Sequence, residues 1–144
     1  MSTATLELIP VACKRAYPPR VSAFTQTFWE GLSKGQWQST CCQACGKFTF
    51  PPKKVCPHCW SEDMVWKDLT TRGTLYSWTR IHATPKVFAD EAPYAVCVID
   101  LDIGLRIATR MIEREGVDFT PGIPMELVVL QYEDGPLFAS RPAK

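Results

Sequence analysis

The chain has 144 residues, 46% of them hydrophobic and 22% charged, with a formal net charge of +1, which bounds it to one compact domain or two very small ones. The charge is divided: residues 1–66 carry seven Lys/Arg against four Asp/Glu, and residues 67–144 carry nine against eleven. A C-terminal half with an acidic excess is a poor electrostatic partner for a polyanion, and no apolar run approaches the ~18 residues of a membrane span.

Residues 1–21 read as an extended arm punctuated by Pro10, Pro18 and Pro19. The apolar patch 6–12 is short, is broken by Glu7 and Pro10, and has Lys14 and Arg15 on the wrong side for a secretory signal. A cytoplasmic location is therefore expected, where paired cysteines bind metal more often than they oxidise. Residues 22–32 read as one helix, with Ser22 as N-cap, Phe24, Phe28 and Leu32 on one stripe, and Gly35 beyond its end. Trp29 and Trp37 add large apolar area to this short segment. Two readings of Phe28, Trp29 and Trp37 stand side by side: packing on the rest of the chain, or docking on a partner protein, where aromatic residues concentrate.

Next come two C-x-x-C knuckles, Cys42-Gln43-Ala44-Cys45 and Cys56-Pro57-His58-Cys59, with ten residues between them. Each knuckle puts two thiolates on one tight turn, and a tetrahedral ion needs two such turns facing each other. Gly46 lets the backbone turn past the first pair of sulfurs, and Pro57 stiffens the second turn. Residues 47–52 form a short hairpin arm between the knuckles. An odd total of seven cysteines speaks against a disulfide framework. Four thiolates, Cys42, Cys45, Cys56 and Cys59, leave no open coordination position, so the ion is structural and zinc is expected; iron suits the same ligands. Cys41 competes with Cys42 as a ligand, but C-x-x-x-C spacing fits a knuckle less well. Cys13 is read as a free thiol and Cys97 as a core residue.

From residue 67 the pattern changes to period two. Residues 73–82 alternate Leu75, Ser77, Thr79 and Ile81 with Tyr76, Trp78, Arg80 and His82. Residues 94–101 have the look of a buried strand, Asp102-Ile103-Gly104 turns them into a strand at 105–111, and 124–132 turns through Glu133-Asp134-Gly135-Pro136 into a short strand at 137–140. Five short strands with one long loop at 83–93 suit an OB-like, partly open barrel. The expected fold is mainly β: an N-terminal arm and helix (1–38), a rubredoxin-like zinc ribbon (39–66) and a five-stranded OB-fold domain (67–144).

Taken together, Phe28-Trp29-Glu30-Gly31-Leu32, Cys42-x-x-Cys45-Gly46, Phe50-Pro51-Pro52, Cys56-Pro57-x-Cys59, Gly73-Thr74-Leu75-Tyr76-Ser77-Trp78-Thr79, Pro93-Tyr94 and Leu101-Asp102-x-Gly104 resemble the domain-of-unknown-function family 35 over residues 24–131. The resemblance implies an accessory subunit of acyl-CoA chemistry. Members of that family assemble with thiolases, hydroxymethylglutaryl-CoA synthases and thiolase-like aldolases or acyltransferases, whose own cysteine and histidines catalyse, while the ribbon/OB subunit can help hold the CoA thioester.

The residues agree with a non-catalytic role. Acyl transfer needs an activated nucleophile with a base in reach; only His58 and His82 are present, and neither phosphate-binding glycine motif occurs. For a CoA thioester, the face Tyr76, Trp78, Arg80 and His82 of the first barrel strand is the candidate, with Lys86 and Phe88 of the long loop closing over the ligand or contacting the partner. The duller alternative makes Trp78 core and Arg80 a surface ion-pair partner. Arg106 and Arg110 share a strand face and suit phosphates, but pairing with Glu113, Glu115 or Asp118 is the plainer explanation and is preferred. The competing function is a single-strand nucleic-acid binder using ribbon and barrel; iron-based electron transfer is a third.

Overall fold

The computed structural model describes residues 5–143. In chain order the elements are β1 (Leu8–Pro10), α1 (Gln26–Ser33), β2 (Gln38–Cys42), β3 (Phe48–Thr49), β4 (Met64–Asp68), β5 (Arg72–Ile81), a 3-10 turn (Lys86–Phe88), β6 (Tyr94–Leu101), β7 (Leu105–Met111), β8 (Pro124–Tyr132) and β9 (Gly135–Pro142). Among the described residues no helix is long and apolar enough to cross a membrane.

The expected helix forms but starts later than expected: its N-cap is Thr25, with no side-chain capping bond to the helix, and Ser22 stands in the turn before it. Ser22 Oγ accepts from Thr25 N–H at 3.1 Å while Thr25 Oγ1 accepts from Ser22 N–H at 2.8 Å, a reciprocal pair that closes one turn before regular α-helix begins at Gln26. At the other end Gly35 takes φ +82°, and Gln36 N–H reaches back to Gly31 C=O at 2.9 Å, which also accepts from Lys34 N–H at 3.0 Å.

The ribbon is a three-stranded sheet ordered β3-β2-β4, all antiparallel. Its central strand β2 leads into the first knuckle, so that knuckle serves as the β2–β3 hairpin turn. The barrel closes through β5, β6, β7, β9 and β8. Closure is slender: β7 and β9 pair in parallel at Arg110–Ala139 and Met111–Ser140. At that seam the buried side chains of Thr109 and Ser140 share a hydrogen bond at 2.7 Å, and Cys97 Sγ lies 3.1 Å from Ser140 Oγ. Cys97 is thus a core residue tied into the closure. Alternate residues of β6 (Ala95, Cys97, Ile99, Leu101) fill the barrel together with Leu75, Ile107, Met111, Met125, Leu127 and Val129.

The arm adds a sixth strand: β1 pairs in parallel with β8, Leu8 opposite Val129. Arg15 anchors the arm beyond β1 to the β8–β9 turn. Its guanidinium donates to Asp134 C=O at 2.8 Å and Pro136 C=O at 3.2 Å, and its backbone N–H donates to the Asp134 carboxylate at 2.8 Å, which holds that carboxyl below the usual range. The guanidinium lies where a β-carbon on Gly135 would stand, 2.6 Å away, and Gly135 has φ +147°. Gly135→Ala is therefore expected to expel Arg15 from its two carbonyls and cost about 1–3 kcal/mol, measured as a lowered denaturant midpoint with unchanged m-value.

Candidate metal centre and apolar face

The four knuckle sulfurs converge: those of Cys42, Cys45, Cys56 and Cys59 all lie within 4.8 Å of one another. Cys42 and Cys59 are 3.6 Å apart, as are Cys45 and Cys56. An ion about 2.3 Å from each of four tetrahedral sulfurs needs edges of about 3.8 Å, so the cluster has the size of a zinc–thiolate site. Backbone N–H groups point at the sulfurs, among them Cys45 N–H at Cys42 Sγ and His58 N–H at Cys56 Sγ, each at 3.4 Å. The Cys45 N–H is the main reason the Cys42 thiol is pushed down to about 6. Cys59 goes the other way, up to about 12: Ser61 N–H works to lower it, but burial and the three neighbouring sulfurs outweigh that donor. Four thiolates this close need a cation to ionise together. Cys41 stands apart, its Sγ turned to the carbonyls of Cys42 at 3.9 Å and Gly46 at 3.6 Å. Cys42 and Cys56 are buried and Cys59 is exposed, so the ion would sit between the ribbon's core and its tip.

Of the aromatic trio, Phe28 and Trp37 are only 2% and 1% exposed. They belong to the core between helix, ribbon and barrel and offer no open surface to a partner. Trp29 keeps an open side, beside Phe50, Pro51 and Pro52 of the ribbon arm, in a hollow of about 380 Å³ that reaches Arg106 and Ala108 on β7.

The barrel's outer surface carries apolar area that alternation alone did not show. Strand 94–101 is buried on one face only; Val96 and Val98 point outward and are half-open. Ala108, exposed on β7, is shared by the Trp29 hollow, by a second of about 340 Å³ toward Phe88, Tyr94 and Leu137, and by a third of about 200 Å³ over Val96 and Val98. The three form one trough across β5, β6, β7 and β9. The available signal was the apolar character of β6 at both parities.

The candidate thioester residues fall in two places. A register shift between Leu75 and Ser77 makes Tyr76 an extra residue on β5. It moves Trp78 onto the side of Leu75, opposite Cys97, and separates Tyr76 from Trp78 and Arg80, so the expected face 76-78-80-82 is broken at its first member. Trp78 Nε1 donates to Phe119 C=O at 2.9 Å, and the two rings lie 5.4 Å apart. Arg80 is ion-paired with Glu113. His82 and Lys86 are exposed, and Phe88 sits between Tyr17 and Tyr94 at centroid distances of 5.4 and 5.7 Å. Arg106 and Arg110 do not use the acids expected from sequence. Arg106 binds Asp100 at 2.6 Å and lies 3.7 Å over the Tyr76 ring. Arg110 binds Glu91 at 3.0 Å and lies 4.2 Å over Tyr94. Glu91 also accepts from the Tyr132 hydroxyl at 2.6 Å, which latches the long loop to the barrel.

A closed five-stranded barrel behind a four-thiolate ribbon defines a zinc-ribbon/OB-fold protein. Residues 29–65 match the rubredoxin-like zinc ribbon domain of ChsH2, and residues 66–130 match the C-terminal OB-fold domain of ChsH2. A DUF35 domain-containing scaffold protein of Methanocaldococcus jannaschii is 31% identical over 96 residues, covering 65% of this chain and 68% of that protein. The chain belongs to the DUF35 family. The benzoylsuccinyl-CoA thiolase subunit BbsA of Thauera aromatica is 35% identical over 74 residues, 49% of this chain and 47% of that subunit. Among solved structures, a chain of the Ltp2-ChsH2(DUF35) aldolase superposes with a TM-score of 0.76 at 27% identity, covering 88% of this chain and all of that one.

Proposed function

We propose that this chain is a zinc-structured accessory subunit that assembles with a thiolase-like catalytic subunit and helps hold its acyl-CoA thioester. The observation that carries the reading is the likeness to the DUF35 chain of an aldolase complex along that chain's whole length. The likeness to a thiolase subunit and the apolar trough meeting at Ala108 support it. Metal, ribbon and helix act as scaffold, and zinc with four protein thiolates has no position for a substrate. For the thioester, Arg80 near the end of β5, His82 just beyond it and Lys86 in the 3-10 turn are the polar groups for CoA phosphates. Trp78 and Phe88 supply apolar surface for the pantetheine arm.

The test is co-purification from the native host with mass spectrometry, followed by acyl-CoA titration of the complex. The expected result is stoichiometric recovery of a thiolase-fold protein, and about tenfold weaker acyl-CoA binding when Arg80 and Lys86 are both replaced by alanine. Recovery of the chain alone, or with nucleic acid that leaves at high salt, rejects the reading.

A further inference from the structure

Trp60 follows the second knuckle as Gly46 follows the first, and both turn the chain through left-handed backbone, φ +76° at Gly46 and +66° at Trp60. For glycine that conformation is free; for a bulky L-residue it is strained. Trp60 is the only non-glycine residue with positive φ among the described residues. The turn serves the backbone, since Ser61 N–H reaches the Cys59 sulfur, but the indole itself gains no partner among the described residues. The indole is 79% exposed and has no aromatic, cationic or hydrogen-bonding neighbour among the described residues. The turn is nevertheless fixed: Trp60 N–H donates to Cys56 C=O at 2.9 Å, Cys56 N–H donates to Ser61 C=O at 2.9 Å, and ligation of Cys59 would lock the adjoining residue. The second knuckle thus fixes the backbone that presents a large ring to solvent.

Resting on the accessory-subunit reading, we infer that Trp60 is an interface anchor that inserts into an apolar, basic-rimmed pocket on the thiolase-like subunit. Indole is among the side chains most enriched in residues that dominate binding, and an anchor whose backbone is already fixed loses less freedom on docking than one on a mobile loop. The rim is inferred from charge. Glu62 and Asp63, both exposed, stand two and three residues beyond Trp60, with Asp63 N–H held to Ser61 Oγ at 3.1 Å.

The test compares wild type, Trp60→Gly and Trp60→Phe, each purified with its metal, for affinity to the thiolase-fold protein recovered with the tagged wild-type chain. Trp60→Gly is expected to retain its metal, to melt at the same or a slightly higher temperature because the strain is relieved, and to bind ~10–100-fold more weakly. Trp60→Phe should keep most of the affinity. Equal affinity for wild type and Trp60→Gly overturns the inference, as does loss of metal from Trp60→Gly or a wild-type self-dimer that Trp60→Gly abolishes. Failure of the wild type to recover any thiolase-fold protein sinks the accessory-subunit reading itself, so the two failures are distinguishable.

Discussion

Cys56→Ala is expected to empty the metal site and unfold the ribbon while the barrel stays folded. The ribbon has three short strands, the shortest being two residues, and cannot bury enough apolar surface to be stable alone. In small metal-built domains the ion's binding energy, ~10–16 kcal/mol at neutral pH, is the folding energy. Cys56 is buried, and its sulfur has that of Cys45 3.6 Å away, so alanine removes a ligand from the inner side of the cluster. Zinc content should fall from about one ion per chain to near zero, amide exchange should accelerate across β2, β3 and β4, and partner capture should be lost. Exchange in β6 and β7 should stay slow, because their side chains fill the barrel's own core. Cys41→Ala is the control. Cys41 is equally buried, but its sulfur faces carbonyls, so the metal should be retained. Full zinc content in Cys56→Ala, or its loss in Cys41→Ala, would reassign the ligand set.

Legibility varied along this sequence for physical reasons. The knuckles were legible because their chemistry is local: two thiolates per turn and a turn residue beside them. Strands 94–101, 105–111 and 124–132 match the structure end for end, since each is bounded by turn residues and carries strong β-formers. Strand β4 was missed because Met64–Asp68 has no alternation of its own and is a strand only by pairing with β2, across both knuckles. The bulge at Tyr76 was invisible for a similar reason, as it is defined by register against β6. Burial of Phe28 and Trp37 decides between packing and docking, and that choice depends on where ribbon and barrel meet. The special character of Trp60 lay beyond sequence as well; only its φ distinguishes an ordinary surface aromatic from a strained one.

Trp37→Ala should be the most damaging substitution outside the metal site. Four rings meet where the three parts of the chain join: Phe28 from α1, Trp37 just before β2, Phe50 from the ribbon arm and Phe138 from β9. Their centroids are 5.3 to 6.2 Å apart in every pairing. Contacts of this kind add to area burial because ring edges meet ring faces. Trp37 is the most buried of the four, and its C=O also accepts from Leu69 N–H at 2.9 Å, where the chain leaves the ribbon for the barrel. Alanine there should cost about 3–5 kcal/mol and lower the melting temperature by roughly 10–15 °C. The loss should also fall on coupling between parts. Zinc should remain bound, because Trp37 is not one of the four sulfur ligands, yet ribbon and barrel should melt in separate steps where the wild type is expected to melt in one. A single transition with wild-type cooperativity, measured by calorimetry on the metal-loaded variant, would show that the strand and loop connections alone hold ribbon to barrel.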